Sequence, residues 1–309
     1  NNIDKILKKK VTFCINSITG IEGLEPTLKV IKYSKNILIA NKESIICGWE
    51  LIKKKLNNYK TNFIPIDSEH FSINELIKSD TKNYINKIVL TASGGPFLNK
   101  NVNLTNINPE MALKHPNWKM GKKISIDSSN MMNKIFEFIE AKKIFNLRNK
   151  KIEILIHPTS YIHAIVFFKT NLIKFLAHDA KMTIPISNAL GIENKFNKKI
   201  VTKNFLEMNN INFQKPNLKK FPLLEILKLI PENSSYFEII LVTLNDELVS
   251  KYLSGDINYL SIQNNLLKLI KNPYFKSYYK LKPKNIYDIK NMIDLTKNYL
   301  NDKLVIYEK

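Results

Sequence analysis

The sequence predicts an α/β protein: a partial doubly wound, Rossmann-like parallel sheet, then an α+β domain, then a C-terminal helical bundle. Strand-like and helix-like segments alternate from Val11 to Ile66, the order of parallel strands joined by crossover helices. From residue 223 to 305 apolar residues recur at helical spacing, as in Tyr259, Ile262, Leu266 and Ile270. Between these regions, short β-rich runs are separated by loops rich in Gly, Pro and His. The expected divisions are 1–66, 67–195, a linker at 196–220, and 221–309.

Residues 1–9 are polar and read as a helix end or frayed terminus. Val11–Ile15 is a buried strand carrying Cys14; Gly20 to Gly23 is a turn, and Pro26 suits a first helical position before Thr27–Tyr33. Asn36–Ala40 is a second strand, Lys42–Leu56 an amphipathic helix, and Phe63–Ile66 a third strand. Ile88–Thr91 is a strand that ends in the turn Ala92–Pro96, and 98–114 is a polar connector. Lys123–Ile126 alternates like a short strand, and Asp127 and Ser128 are good N-caps for a helix from about Ser129 to Phe145. Lys151–Ile156 and Tyr161–Lys169 read as paired strands around His157-Pro158, and 193–220 is a basic, Asn-rich connector. No internal repeat is evident.

The formal charge is +21, the number that would suggest a nucleic-acid or membrane binder. The lysines are spread over the whole chain, Arg148 is the sole arginine, and Asn and Ile are abundant. That pattern points to an A+T-rich genome rather than a selected patch, so neither nucleic acid nor membrane is expected as a partner. A basic chain still favours anionic substrates through its overall field. No apolar run approaches the roughly 18 residues of a membrane span. No leader peptide is evident, but the chain opens with Asn1, so targeting cannot be read from this end. Cys14 and Cys47 are isolated and lack zinc spacing, which suggests a reducing compartment.

Four stretches carry chemistry. Asp67-Ser68-Glu69 follows the third strand, and in an extended segment positions i and i+2 face the same way. Two carboxylates with no nearby cysteine suit Mg²⁺ or Mn²⁺, although such a pair is usually a solvated turn. Its place at a carboxyl strand end, where α/β proteins bind ligands, strengthens it. Asn133, Lys134 and Glu137 share a helix face beside the apolar stripe Met132, Phe136 and Ile139. Alone, that would be an ion pair on a wet face. The upstream loop changes the balance: His115, Trp118 and Met120 fall within six residues, a composition suited to a lid at 115–121. Ser93-Gly94-Gly95 forms a turn whose glycines let backbone amides approach a ligand.

These stretches resemble the 1-deoxy-D-xylulose 5-phosphate reductoisomerase family. The likeness is carried by Ala40-Asn41-Lys42-Glu43-Ser44, Pro65-Ile66-Asp67-Ser68-Glu69-His70, Thr91-Ala92-Ser93-Gly94-Gly95-Pro96-Phe97, the block from His115 to Ala141, and Ile156-His157-Pro158, in the family's order and at about its spacing. The resemblance implies an NADPH-dependent oxidoreductase requiring Mg²⁺ or Mn²⁺, with 1–66 as the remaining half of the NADPH-binding domain and 67–195 as an α+β catalytic domain. It implies a phosphorylated sugar substrate, rearranged and reduced to 2-C-methyl-D-erythritol 4-phosphate, and a homodimer. Asp67, Glu69 and Glu137 become the metal triad; Lys42 and Glu69 lie near the reacting oxygens; Ser68 contacts substrate. Ser93, Ser128, Asn133 and Lys134 become the phosphate set, and His115, Trp118 and Met120 close over the ligand. Asn41, Glu43 and Gly121 match cofactor contacts. His157 matches a histidine near the substrate, whereas His163 reads as strand core.

The sequence departs from the family's pattern in several places. Ile135 replaces a usual Gly, Ser129-Asn130 replaces Ala-Thr, and His178-Asp179-Ala180-Lys181-Met182 replaces a Pro-Asp-Met segment. The Gly-rich phosphate turn of a dinucleotide fold has no counterpart. An impaired fragment binding metal and sugar phosphate is therefore the alternative reading, and a basic nucleic-acid-binding protein a more distant one. The residue bias fits the cytoplasm of a reduced-genome bacterium first and a parasite plastid (apicoplast) second.

Overall fold

The computed structural model describes residues 3–78, 84–99, 103–192 and 211–307. After a short helix α1 (Ile3–Ile6), three parallel strands form one sheet in the order β1-β2-β3: β1 (Val11–Asn16), β2 (Ser34–Ile39) and β3 (Asn62–Pro65). α2 (Leu24–Val30) and α3 (Lys42–Tyr59) are the crossovers. β2 is central, so Ile37, Leu38 and Ile39 are buried on both faces. β1 is different from the expectation of a buried strand. It lies at the sheet edge with Phe13 and Ile15 36% and 44% exposed, and Cys14 is only part-buried. Pro26 is the third residue of α2, which starts earlier than the proline suggested.

The second sheet has the order β5-β4-β6-β7. β4 (Ile85–Ala92) runs parallel to β5 (Ile152–Ile156) and antiparallel to β6 (Ile162–Phe168), which pairs in turn with β7 (Ile173–Ala177). The two strands flanking His157-Pro158 are therefore not paired with each other. β4 is inserted between them, a long-range pairing that hairpin reasoning cannot supply. α4 (Ser68–Leu76) packs on β6 and β7, and α8 (Thr183–Leu190) follows β7.

The stretch expected as a short strand is helical. α5 (Pro109–Leu113), capped by Asn108, leads through the loop to α6 (Lys122–Ser129), and α7 spans Met132–Phe145. Asp127 and Ser128 sit in the last turns of α6 and cap nothing. Met131, at φ 70°, occupies the left-handed conformation before α7. Four alternating residues fit one helical turn as well as a strand. Lys123 and Asp127 form an ion pair that only helical i,i+4 spacing offers, and neighbouring Ser125 and Ile126 are both buried. Ile135, the departure from Gly, is fully buried within an unbroken α7.

The C-terminal part is helical, with α9 (Tyr236–Ser254), α10 (Tyr259–Ile270), α11 (Pro273–Lys276) and α12 (Ile286–Tyr307). A Ser235/Glu238 capping box starts α9, which packs against α10, α12, α3 and α6. Of the connector expected at 193–220, residues 193–210 lie outside the described residues, and Gln214 bridges to Ile156. No helix among the described residues is long and apolar enough to cross a membrane.

Candidate active site

The carboxyl end of β3, the first turn of α4, the end of β4 and the start of α7 converge on a cavity of about 200 Å³. Asp67 is extended and stands at the N-cap of α4, with Ser68 and Glu69 in the first turn. Asp67 and Glu69 thus converge because a helix begins between them, not by strand alternation. The helix start also favours the Glu69 charge. Glu137 arrives from α7. Ligand oxygens of Asp67, Glu69 and Glu137 all lie within 4.8 Å of one another.

Two ammonium groups separate these carboxylates. Lys42 Nζ lies 2.5 Å from Asp67 Oδ2, 3.4 Å from Glu137 Oε1 and 3.7 Å from Glu140 Oε2. Lys134 Nζ lies 2.7 Å from Glu69 Oε1 and pairs with Glu137 Oε2. Asn133 Nδ2 donates to Glu137 Oε1 at 2.5 Å and Ser68 Oγ to Glu69 Oε2 at 2.6 Å. Burial works against the Asp67 charge, but Lys42 and His70 outweigh it and hold its carboxyl far below the usual range. Glu137 is pushed up by burial and by Glu69. Glu140 reaches about 7, through burial offset by Lys42 and His70. His70 rises to about 9: burial opposes its charge, but Glu140 and Asp67 prevail.

The donor set fits a hard divalent cation. It offers three converging carboxylates without sulfur, and Glu137 Oε2, Glu140 Oε2 and Asn133 Oδ1 are buried acceptors lacking a hydrogen bond among the described residues. Lys134 meets the first of these as an ion pair without hydrogen-bond geometry. A carboxylate cluster balanced by the Lys42 and Lys134 ammonium groups can exchange part of that balance for a metal ion.

Ser93, Ser128, Asn133 and Lys134 line the same cleft. Gly94 and Gly95 have φ of +82° and +67°, and a Cβ on Gly95 would stand 2.8 Å from the Ser128 carbonyl oxygen. Only glycine brings this turn against the end of α6. His115 Nε2 meets Ser93 Oγ at 3.0 Å, and its Nδ1 accepts from the amides of Asn117 and Trp118 at 3.1 and 2.9 Å. Those bonds identify the neutral tautomer, in keeping with burial that lowers His115 to about 4. Trp118 and Met120 line the cleft, and Asn117 Nδ2 ties the loop to Pro158 O and Ser160 Oγ at 2.8 and 2.9 Å.

Other expected residues stand apart. Asn41 caps α3 and donates to the carbonyls of Ile18 and Gly20 at 2.5 and 2.6 Å, Glu43 pairs with Lys123 at 2.9 Å, and Gly121 is the N-cap of α6; none of the three lines the cleft. His157 also lies outside the lining. Its ring nitrogens meet Asn212 O and Thr159 Oγ1, both at 2.9 Å, and it packs on Phe213. His163 lines the cleft instead, edge-on to Trp118 and stacked 3.8 Å from His178; burial and His178 lower it to about 4. Its signal was a histidine inside an apolar strand. Glu140 was also missed, although it follows Glu137 by three on the same helix face.

Three family models match the chain: "1-deoxy-D-xylulose 5-phosphate reductoisomerase" over residues 1–48, "1-deoxy-D-xylulose 5-phosphate reductoisomerase C-terminal domain" over 63–145, and "DXP reductoisomerase C-terminal domain" over 178–299. A curated 1-deoxy-D-xylulose 5-phosphate reductoisomerase of Pelagibacter ubique is 50% identical over 302 residues, 95% of this chain and 77% of the relative. That of Clostridium tetani is 38% identical over 295 residues, 95% and 76% of the two chains. Among solved structures, a DOX-P reductoisomerase in complex with NADPH, fosmidomycin and magnesium superposes with a TM-score of 0.88 at 28% identity, covering 98% of this chain and 78% of that one. The Zymomonas mobilis enzyme in complex with NADPH gives 0.79 at 28% identity, covering 92% and 73%.

Fold and cleft together define an α/β protein with three carboxylates spaced to share a metal ion, in a cleft also lined by Ser93, Ser128, Asn133 and Lys134. The chain belongs to the 1-deoxy-D-xylulose 5-phosphate reductoisomerase family, the one its motifs resemble.

Proposed function

We propose that this chain rearranges 1-deoxy-D-xylulose 5-phosphate and reduces it with NADPH to 2-C-methyl-D-erythritol 4-phosphate, using Mg²⁺ or Mn²⁺. The observation that carries the reading is the convergence of Asp67, Glu69 and Glu137 within 4.8 Å, in a cleft that Ser93, Ser128, Asn133 and Lys134 also line. Asp67, Glu69 and Glu137 would hold the divalent ion, which would supply Lewis-acid polarisation of the sugar's oxygens. NADPH supplies the hydride for the second half of the reaction. Ser93, Ser128, Asn133 and Lys134 hold the phosphate with hydroxyl, amide and ammonium donors, and so orient the carbon skeleton. Lys42 Nζ, beside the triad, donates hydrogen bonds to oxygens on which negative charge develops. His115, Trp118 and Met120 cover the cleft and exclude water, and His163 replaces His157 as the histidine facing the substrate.

We assign residues 1–66 to the nucleotide side, with Asn41, Glu43 and Gly121 bordering it, 67–195 to the catalytic part, 196–220 to a linker and 221–309 to the helical part. Among the described residues β7 is a sheet edge, with Ile173 and Phe175 54% and 48% exposed, which supports pairing with a second copy into a homodimer. The bacterial relatives support a bacterial source. The decisive experiment follows NADPH oxidation by this chain with the sugar phosphate and Mn²⁺. Metal-dependent turnover supports the reading. Binding of metal and a phosphonate analogue without NADPH binding would establish the impaired fragment instead.

A further inference from the structure

Lys123 lies in the first turn of α6, directly after the 115–121 loop. Three carboxylates face its ammonium: Glu43 Oε1 at 2.9 Å on α3, Asp127 Oδ2 at 3.0 Å on α6 and Asp246 Oδ1 at 3.0 Å on α9. The ring centre of Phe136, the neighbour of Glu137 on α7, is 4.7 Å away. Four helices thus meet on one charge. The cluster holds more carboxylate than ammonium: burial lifts Asp246 to about 6 and also raises Asp127. A purely structural junction would be better served by apolar packing than by this surplus of part-buried carboxylate around one part-exposed ammonium.

The contacts continue beyond Glu43. Asn41 Nδ2 lies 3.4 Å from Glu43 Oε2 and donates to the Ile18 and Gly20 carbonyls, fixing the loop after β1. That loop stands at the carboxyl end of the parallel sheet, where α/β folds bind ligands. Lys42, which meets the triad, sits between Asn41 and Glu43 in the same helix start.

We propose that Lys123 is a positioning residue that couples the 115–121 loop to the loop at 17–20, so that the substrate side and the nucleotide side of the cleft order together. The inference rests on the proposed reading of 115–121 as a lid and of 17–20 as nucleotide-side. It deepens that reading by naming the residue that joins the two.

Hydrogen exchange on the unliganded full chain tests it without needing turnover. Lys123→Met is expected to speed exchange about tenfold at both 115–121 and 17–20 while β4 keeps its protection. Asp246→Asn, which leaves the Lys123–Glu43 pair intact, is expected to leave 17–20 unchanged. Equal loss of protection in β4 would reduce Lys123 to a structural group, and unchanged exchange at 17–20 would break the coupling; either overturns the proposal. Should Lys123→Met not fold, Glu43→Gln carries the same expectation at 17–20, since it leaves Lys123 its other two partners. With turnover, Lys123→Met should raise KM for sugar phosphate and NADPH about tenfold with kcat within about threefold, and Lys123→Arg should recover most of it. A wild-type chain without turnover would sink the proposed reaction and leave the exchange result standing.

Discussion

Lys42 Nζ lies 2.5 Å from Asp67 Oδ2, so an ammonium rests against the carboxylate that the proposed cation would use. Lysine and metal compete for one oxygen, and their positive charges repel across the cleft. Lys42→Met is therefore expected to bind Mn²⁺ about tenfold more tightly while losing about a hundredfold or more in turnover. Calorimetric titration and steady-state kinetics on the same variant check both halves. Weaker metal binding would mean that Lys42 supports the triad rather than opposing a cation.

The two histidines of the β5–β6 region separate by environment. His163 lines the cleft against Trp118, whereas His157 is tied to Asn212 and Thr159 outside it. His163→Gln is expected to cut kcat/KM about tenfold or more, and His157→Gln to change it less than about threefold. Reversed effects would return the role to His157.

These two residues also show what sequence can and cannot reveal. Asp67 with Glu69, and Asn133, Lys134 with Glu137, stand out in the sequence as local groups, the first by an extended-segment argument that the helix start replaces; their union in one triad is read from the family resemblance. The third strand leading to Asp67 and the crossover helix carrying Lys42 were legible for the same reason. His163 was hidden because a histidine in an apolar strand is usually packed, and only the fold shows Trp118 above it. The insertion of β4 between β5 and β6 and the Lys123–Glu43 pair, 80 positions apart, depend on long-range topology. The helix over Lys122–Ser129 was missed because four alternating residues do not distinguish the two periods.

Asp246 makes stability depend on pH. Burial raises its carboxyl from 3.8 to about 6, with Lys123 offsetting part of the shift. Its neutral form suits the fold, so its contribution is complete below pH 3.8 and is lost as pH rises through about 6. Asp246→Asn cannot ionise and is expected to gain about 1–2 kcal/mol on the wild type between pH 4 and pH 7, allowing for solvent screening. Thermal melts of both proteins across that range check it; a constant difference would show that Asp246 is ionised throughout.

Gly95 adopts φ +67°, and a Cβ added there would stand 2.8 Å from the Ser128 carbonyl oxygen. Gly95→Ala is expected to cost about 1–3 kcal/mol and to weaken phosphonate binding, because the Ser93 turn must withdraw from α6. Chemical denaturation and ligand titration report the two effects; wild-type values in both would show that the close approach is dispensable.

The most direct measurement of the central claim is Mn²⁺ binding, by electron paramagnetic resonance, to the wild type and to Asp67→Asn, Glu69→Gln and Glu137→Gln. One bound ion in the wild type, with affinity reduced about tenfold or more in each variant, is the predicted result. Wild-type affinity in any folded variant of the three would contradict a single cation held jointly by these side chains.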